Sequence, residues 1–133
     1  METRSQFFFW KKKLKYKDYI LFSTNFGYQT SNTVFKRFLK FLVKSKYTKR
    51  GLTVDIVKKQ RKDSTKMFKK FSKLITTLAN KTDSQIIVRP HPTEPINNYN
   101  FLKKYKNVNV IKKGSISEWI YYAKIVIHSG CTG

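Results

Sequence analysis

The chain is short of several things at once. Its single cysteine, Cys131, excludes an internal disulfide and any thiol-based metal cluster. Pro 3 and Gly 5 are low counts for 133 residues, so each place where they occur carries information. No apolar run approaches the ~20 residues needed to cross a bilayer. The candidate near the start, Phe7-Phe8-Phe9-Trp10, is followed by Lys11-Lys12-Lys13, the reverse of the order in a secretory signal. These absences predict a cytoplasmic protein. Acidic residues are scarce too: 7 Asp+Glu stand against 29 Lys+Arg, for a formal net charge of +22. Arginine is confined to Arg4, Arg37, Arg50, Arg61 and Arg89. There is no Walker loop and no Gly-x-Gly-x-x-Gly fingerprint. No cluster of His, Cys and carboxylates has metal-ligand spacing. Glu94 and Glu118 fall in separate segments, so no carboxylate pair for glycoside hydrolysis is evident.

The charge admits two readings. It fits an anionic partner, either nucleic acid, an acidic membrane surface or a phosphorylated substrate. It fits better a lysine enrichment spread over solvated faces, with a mild preference for anionic surfaces. The lysine-over-arginine bias weighs against a dedicated phosphate or base reader, which leans on the planar guanidinium fork. One continuous lysine stripe would favour nucleic acid, and a scatter over all faces would favour enrichment.

Hydrophobic content of 40% and aromatics at 16% predict a folded domain rather than a disordered one. Residues 1–18 read as a basic aromatic lead-in, able to touch acidic lipid through Phe7 to Lys17. Residues 19–133 read as one domain. Tyr19 to Thr24 is a short apolar strand ending in Asn25-Phe26-Gly27, where a glycine permits a sharp turn or a close ligand approach. Thr33 to Lys44 has apolar residues at helical spacing, capped by Ser31, Asn32 or Thr33. Leu52 to Val57 fits either a short strand or the start of a helix. A long helix follows to about Lys81, with Asp63 or Ser64 as its cap and Met67, Phe68, Phe71, Leu74, Ile75 and Leu78 as its apolar stripe. Gln85 to Arg89 is a strand. Pro95 opens a short helix to about Tyr105 with Tyr99 and Leu102 inward. Val108 to Ile111 is a strand, Ser117 caps a helix from Glu118 to Ala123, and Lys124 to Ile127 is the last strand. Strands alternating with helices predict an α/β fold: a Rossmann-like parallel sheet flanked by helices.

Two strand ends carry the chemistry. Ile86-Ile87-Val88 delivers Arg89-Pro90-His91-Pro92-Thr93-Glu94, where the prolines stiffen the loop that presents His91. Arg89 adds a permanent charge and Thr93 a hydroxyl. The set suits a phosphate or a sugar-nucleotide, and His91 also suits acid–base work. The competing reading is a loop histidine bonded to backbone. Ile125-Val126-Ile127 delivers His128-Ser129-Gly130-Cys131-Thr132-Gly133, a small, hydroxylated, glycine-rich loop suited to an anion. Cys131 reads as a packing residue, and His128 fits a structural or a functional role equally.

The runs Ile87 to Glu94, Asn107 to Val110, Ser117 to Ile120 and Val126 to Thr132, with Tyr19 to Gly27 ahead of them, resemble bacterial surface carbohydrate biosynthesis proteins. These in turn resemble capsule and teichoic-acid transferases of the GT-B fold, including capsular Kdo transferases, polysialyltransferases and glycerophosphotransferases. The resemblance implies a carboxyl-terminal, nucleotide-sugar-binding half. His91 would contact the donor phosphate and be the catalytic residue, with Arg89 supporting its loop or its charge. Ser129, Gly130 and Thr132 would line a second phosphate-side loop, and Asn25 and Gly27 the cleft. The implied donor is a nucleotide-activated sugar, CMP-linked in these relatives, with no separate cofactor or metal. The other partner is a glycan acceptor, at the inner face of the plasma membrane. In that family the pattern runs on into a further helix and an amino-terminal domain completes the cleft. The resemblance therefore implies a truncated half with little or no turnover alone. A basic nucleic-acid-binding module is the alternative.

Overall fold

A computed structural model describes residues 18–27, 31–45 and 51–130. The lead-in through Lys17 and the Cys131-Thr132-Gly133 loop lie outside the described residues.

The strands are short and apolar, and alternate side chains face opposite ways. In β1 (Tyr19–Ser23), Tyr19 and Leu21 join Ile87 and Trp119 on one face. Ile20 and Phe22 point to the other, where Ile75, Ile86, Val88 and Leu102 pack. Such two-sided burial is what a parallel sheet requires. The sheet has four strands in the order β3-β2-β1-β4, with β2 at Ile86–Arg89, β3 at Val108–Val110 and β4 at Ala123–His128. All pairings are parallel, with Ser23 set between Arg89 and His128. One extra residue on β4, Lys124, shifts the register between Tyr19 and Ile20. The α/β architecture with a parallel sheet is therefore as the sequence predicts.

Two helices begin where sequence spacing suggests, and two begin earlier. Helix α1 spans Asn32–Lys44, with the Ser31 side chain accepting the Val34 N–H. Helix α2 spans Val54–Lys81, so Leu52 to Val57 leads into a helix and is no strand. Asp63 and Ser64, expected as caps, sit in its interior. The cap is Thr53, whose hydroxyl accepts the Ile56 N–H, and Asp55 lies in the first turn where the dipole favours it. No glycine or proline interrupts residues 52–81, so nothing stops the helix from propagating through Asp63. Residues Ile96–Leu102 form a 3₁₀ helix after Pro95, with Tyr99 and Leu102 buried as expected. Helix α3 spans Ile116–Tyr122 and is capped by Ser115 rather than Ser117, because Gly114 turns the chain at φ +79 immediately before it.

Helix α2 serves two clusters. Its carboxyl-terminal half covers the sheet through Phe68, Phe71, Ile75, Leu78 and Ala79. Its amino-terminal half leaves the sheet and packs Val54 and Val57 against Phe35, Phe38, Leu39 and Leu42 of α1. At ~1.5 Å per residue a helix of this length reaches roughly 40 Å, far beyond strands of a few residues. Strand β4 is the thinly covered edge, with Ile125 49% and Val126 38% exposed.

Candidate functional site

The chain runs from β1 to β2 to β3 on one side, then returns to place β4 on the other side of β1. The β1–β4 boundary is thus the point where strand order reverses, and in open α/β sheets the crevice beyond the strand carboxyl ends there collects ligands. The loops after β1, β2 and β4 meet at this edge.

The loop after β2 is fixed mainly by a buried carboxylate. Glu94 is 1% exposed. Its Oε1 accepts the Thr24 hydroxyl at 2.8 Å and the His91 backbone N–H at 2.9 Å. Its Oε2 accepts the Tyr99 hydroxyl. The His91 N–H also reaches the Thr24 carbonyl at 3.1 Å, and the Glu94 N–H closes the turn onto the His91 carbonyl at 2.8 Å. Burial, and then the neighbouring Glu94 charge, push the Tyr99 phenol far above its ordinary range, so this hydroxyl stays a donor. From outside, the Lys112 ammonium donates to the Pro92 and Glu94 carbonyls at 3.1 and 2.7 Å. Phe26, Phe68 and Tyr99 stack edge-on beneath the loop.

This brace decides how His91 is presented. Its Nδ1 accepts the Thr93 backbone N–H at 3.3 Å and lies 2.8 Å from the Thr93 hydroxyl. With Nδ1 acting as acceptor, the neutral ring carries its proton on Nε2, as a donor. Gly27 comes so close that a Cβ there would sit 2.3 Å from Thr93 Oγ1. The absence of a side chain at Gly27 thus leaves room for the Thr93 hydroxyl beside His91.

Across the crevice, the Asn25 backbone N–H donates to Ser129 Oγ at 2.9 Å, and the Ser129 N–H donates to the Ser23 carbonyl at 3.2 Å. Gly130 turns at φ +84, with its N–H on His128 Nδ1 at 3.3 Å. Asn25, Gly27, His91, Ser129 and Gly130 are therefore brought to one edge. Thr132 lies outside the described residues. Arg89 is directed elsewhere. It alternates onto the Ile87 face and donates to the Lys113 carbonyl at 2.6 Å and to the Gly114 carbonyl. Burial lowers its pKa, with Glu118 acting in the opposite sense. Arg89 thus holds the turn before α3 and does not extend the His91 loop.

Sequence reasoning missed Glu94 and Lys112 as loop braces. A signal for Glu94 was present, since an acid three residues after the group it bonds can reach back to a backbone N–H, as in a capping box. Lys112 gave none, because its partners are backbone carbonyls about 20 residues away. The edge offers an imidazole donor and a serine hydroxyl, a pair suited to phosphate oxygens. The carboxylate placed there, Glu94, is buried, and both its oxygens accept hydrogen bonds from the protein. Among the described residues no group of three or more His, Cys, Asp or Glu is placed to hold a metal ion.

Comparison with protein-family models, with curated proteins and with solved structures gives no match to this chain.

Proposed function

We propose that the chain binds a nucleotide-activated sugar at the β1–β4 carboxyl edge, as the donor-side domain of a GT-B glycosyltransferase for bacterial surface carbohydrate. The observation that carries this reading is the presentation of His91. A fully buried acid holds its loop, its Nε2 is left as a donor, and it stands beside the strand-order reversal where Asn25 and Ser129 meet. A phosphate held there would receive the His91 N–H and the hydroxyl of Ser129. The leaving nucleoside phosphate would be stabilised by donors already in place, at little reorganisation cost. The sequence resemblance around Arg89-Pro90-His91-Pro92 and Ser129-Gly130 points to the same ligand class, a CMP- or UDP-linked sugar.

The test is calorimetric titration with CMP, UDP and their sugar conjugates, on the wild type and on His91→Ala. Expected is binding to at least one cytidine or uridine compound, weakened roughly tenfold or more by His91→Ala, which removes a hydrogen bond to a charged group. No binding by any of them, or equal binding by the variant, would overturn the assignment.

A further inference from the structure

The strongest feature not used by that site is a groove along the overhanging half of α2. Its volume is about 730 Å³, and Lys58, Arg61, Lys62, Lys66 and Lys69 line it. At 3.6 residues per turn these positions fall on one face of the helix, and the lysines rise along it at intervals of roughly 4.5–6 Å. Asp55 and Asp63, the acids of α2, do not line it. A second groove of about 350 Å³ shares Lys58, and in it Leu39, Val43 and Val54 sit among Lys40, Lys44 and Lys58. Val43 is 66% exposed.

We infer that this α1–α2 face docks on an anionic lipid bilayer. Charge complementarity gives an anionic partner. The chemistry of the surface selects among anions. Nucleic-acid grooves supply stacking aromatics and arginine forks. Here the groove's aromatic, Phe35, is 4% exposed. The groove's arginine, Arg61, lies 4.2 Å over that ring and donates to the Asn32 side chain. Exposed aliphatic surface ringed by lysines instead matches a headgroup layer, where apolar side chains enter and lysine stems extend to the lipid phosphates. The surface also adjoins the candidate site. Asn32 lines the groove, and its neighbour Ser31 donates its N–H to the Gly27 carbonyl at 3.4 Å. Docking here would hold the strand-end site close to the membrane. The inference does not depend on which ligand that site binds.

Three full-length variants test it by vesicle sedimentation. The first carries Lys58→Gln, Lys62→Gln, Lys66→Gln and Lys69→Gln. The second removes the same charge elsewhere, through Lys81→Gln, Lys103→Gln, Lys106→Gln and Lys124→Gln. The third is Val43→Asn. On equimolar phosphatidylglycerol and phosphatidylcholine the wild type should bind, and the groove variant should lose at least ~10-fold in affinity. The charge-matched control should lose less than about twofold, and Val43→Asn should lose several-fold, as expected for losing one inserted apolar side chain. Equal loss in the groove variant and the control would show a bulk-charge effect and overturn the inference, as would no wild-type binding. Retained vesicle binding by the groove variant, with loss of binding to a single-stranded oligonucleotide, would assign the face to nucleic acid instead.

Discussion

Gly27 and Thr93 show how tightly the candidate site is set at the level of single atoms. A Cβ on Gly27 would collide with the Thr93 hydroxyl, and Thr93 is also the residue that holds His91 Nδ1. Gly27→Ala should therefore cost about 1–3 kcal/mol, the usual range for overpacking. Much of that loss should vanish in the Gly27→Ala/Thr93→Ala double variant, where the clash is relieved. Denaturant unfolding of the two single variants and the double variant measures the coupling, and additive losses would contradict the contact. Tyr19 makes a second prediction at this scale. It is fully buried and its hydroxyl donates to the Trp119 carbonyl at 2.6 Å. Burial first, and the nearby Tyr122 second, push its pKa from an ordinary 10.0 up to about 12. The unfolded chain then releases this proton before the folded one does. Stability from Tyr19 is complete below pH 10 and falls as pH rises from 10 to about 12. Wild-type stability minus that of Tyr19→Phe should decline across that window, as read from urea midpoints at fixed ionic strength. A flat difference would show that the hydroxyl is solvated.

At the scale of elements, the strands and the His91 loop were legible because their signals are local. Ile86-Ile87-Val88 is too short and too β-branched for a helix, and the loop's prolines mark where it ends. Helix starts were less legible. Asp63-Ser64 has the composition of a cap, yet composition does not fix which residue adopts the extended backbone. Thr53 does so here, and packing of Val54 and Val57 on α1 holds the added turns. The placement of Arg89 was half legible. Strand alternation puts it with Ile87, but the Lys113 and Gly114 carbonyls that capture it depend on the β3–α3 turn. The α2 boundary is directly testable. Asp63→Pro at a helix start would be nearly harmless, whereas inside a continuous helix it should cost about 3 kcal/mol or more. Thermal unfolding with helix content followed by circular dichroism reads the difference. An unchanged midpoint would place the start of the helix beyond residue 63.

At the scale of the whole molecule, the candidate site and the lysine-lined groove lie toward one end. The strand-end site sits at the carboxyl edge of the sheet, and α1 with the first half of α2 projects past that edge, carrying the lysine-lined groove. Lysines also occur away from the groove, at Lys81, Lys103, Lys106 and Lys124. The net charge is therefore both general and locally concentrated, and neither the stripe nor the scatter foreseen from the sequence describes it alone. The central position of β1 has a consequence for how the chain is made. Among the described strands it is synthesised before the others, and both its edges are flanked by strands made later. Its β2 partner begins at Ile86 and its β4 partner at Ala123. Until then Tyr-Ile-Leu-Phe stands with unpaired edges. The contacts that complete the site, Asn25 to Ser129 and Thr24 to Glu94, span 104 and 70 residues of sequence. Closing such distances is slow relative to forming α1 or α2. Local contacts of the helices can therefore form while the Tyr19–Ser23 strand still lacks its partners.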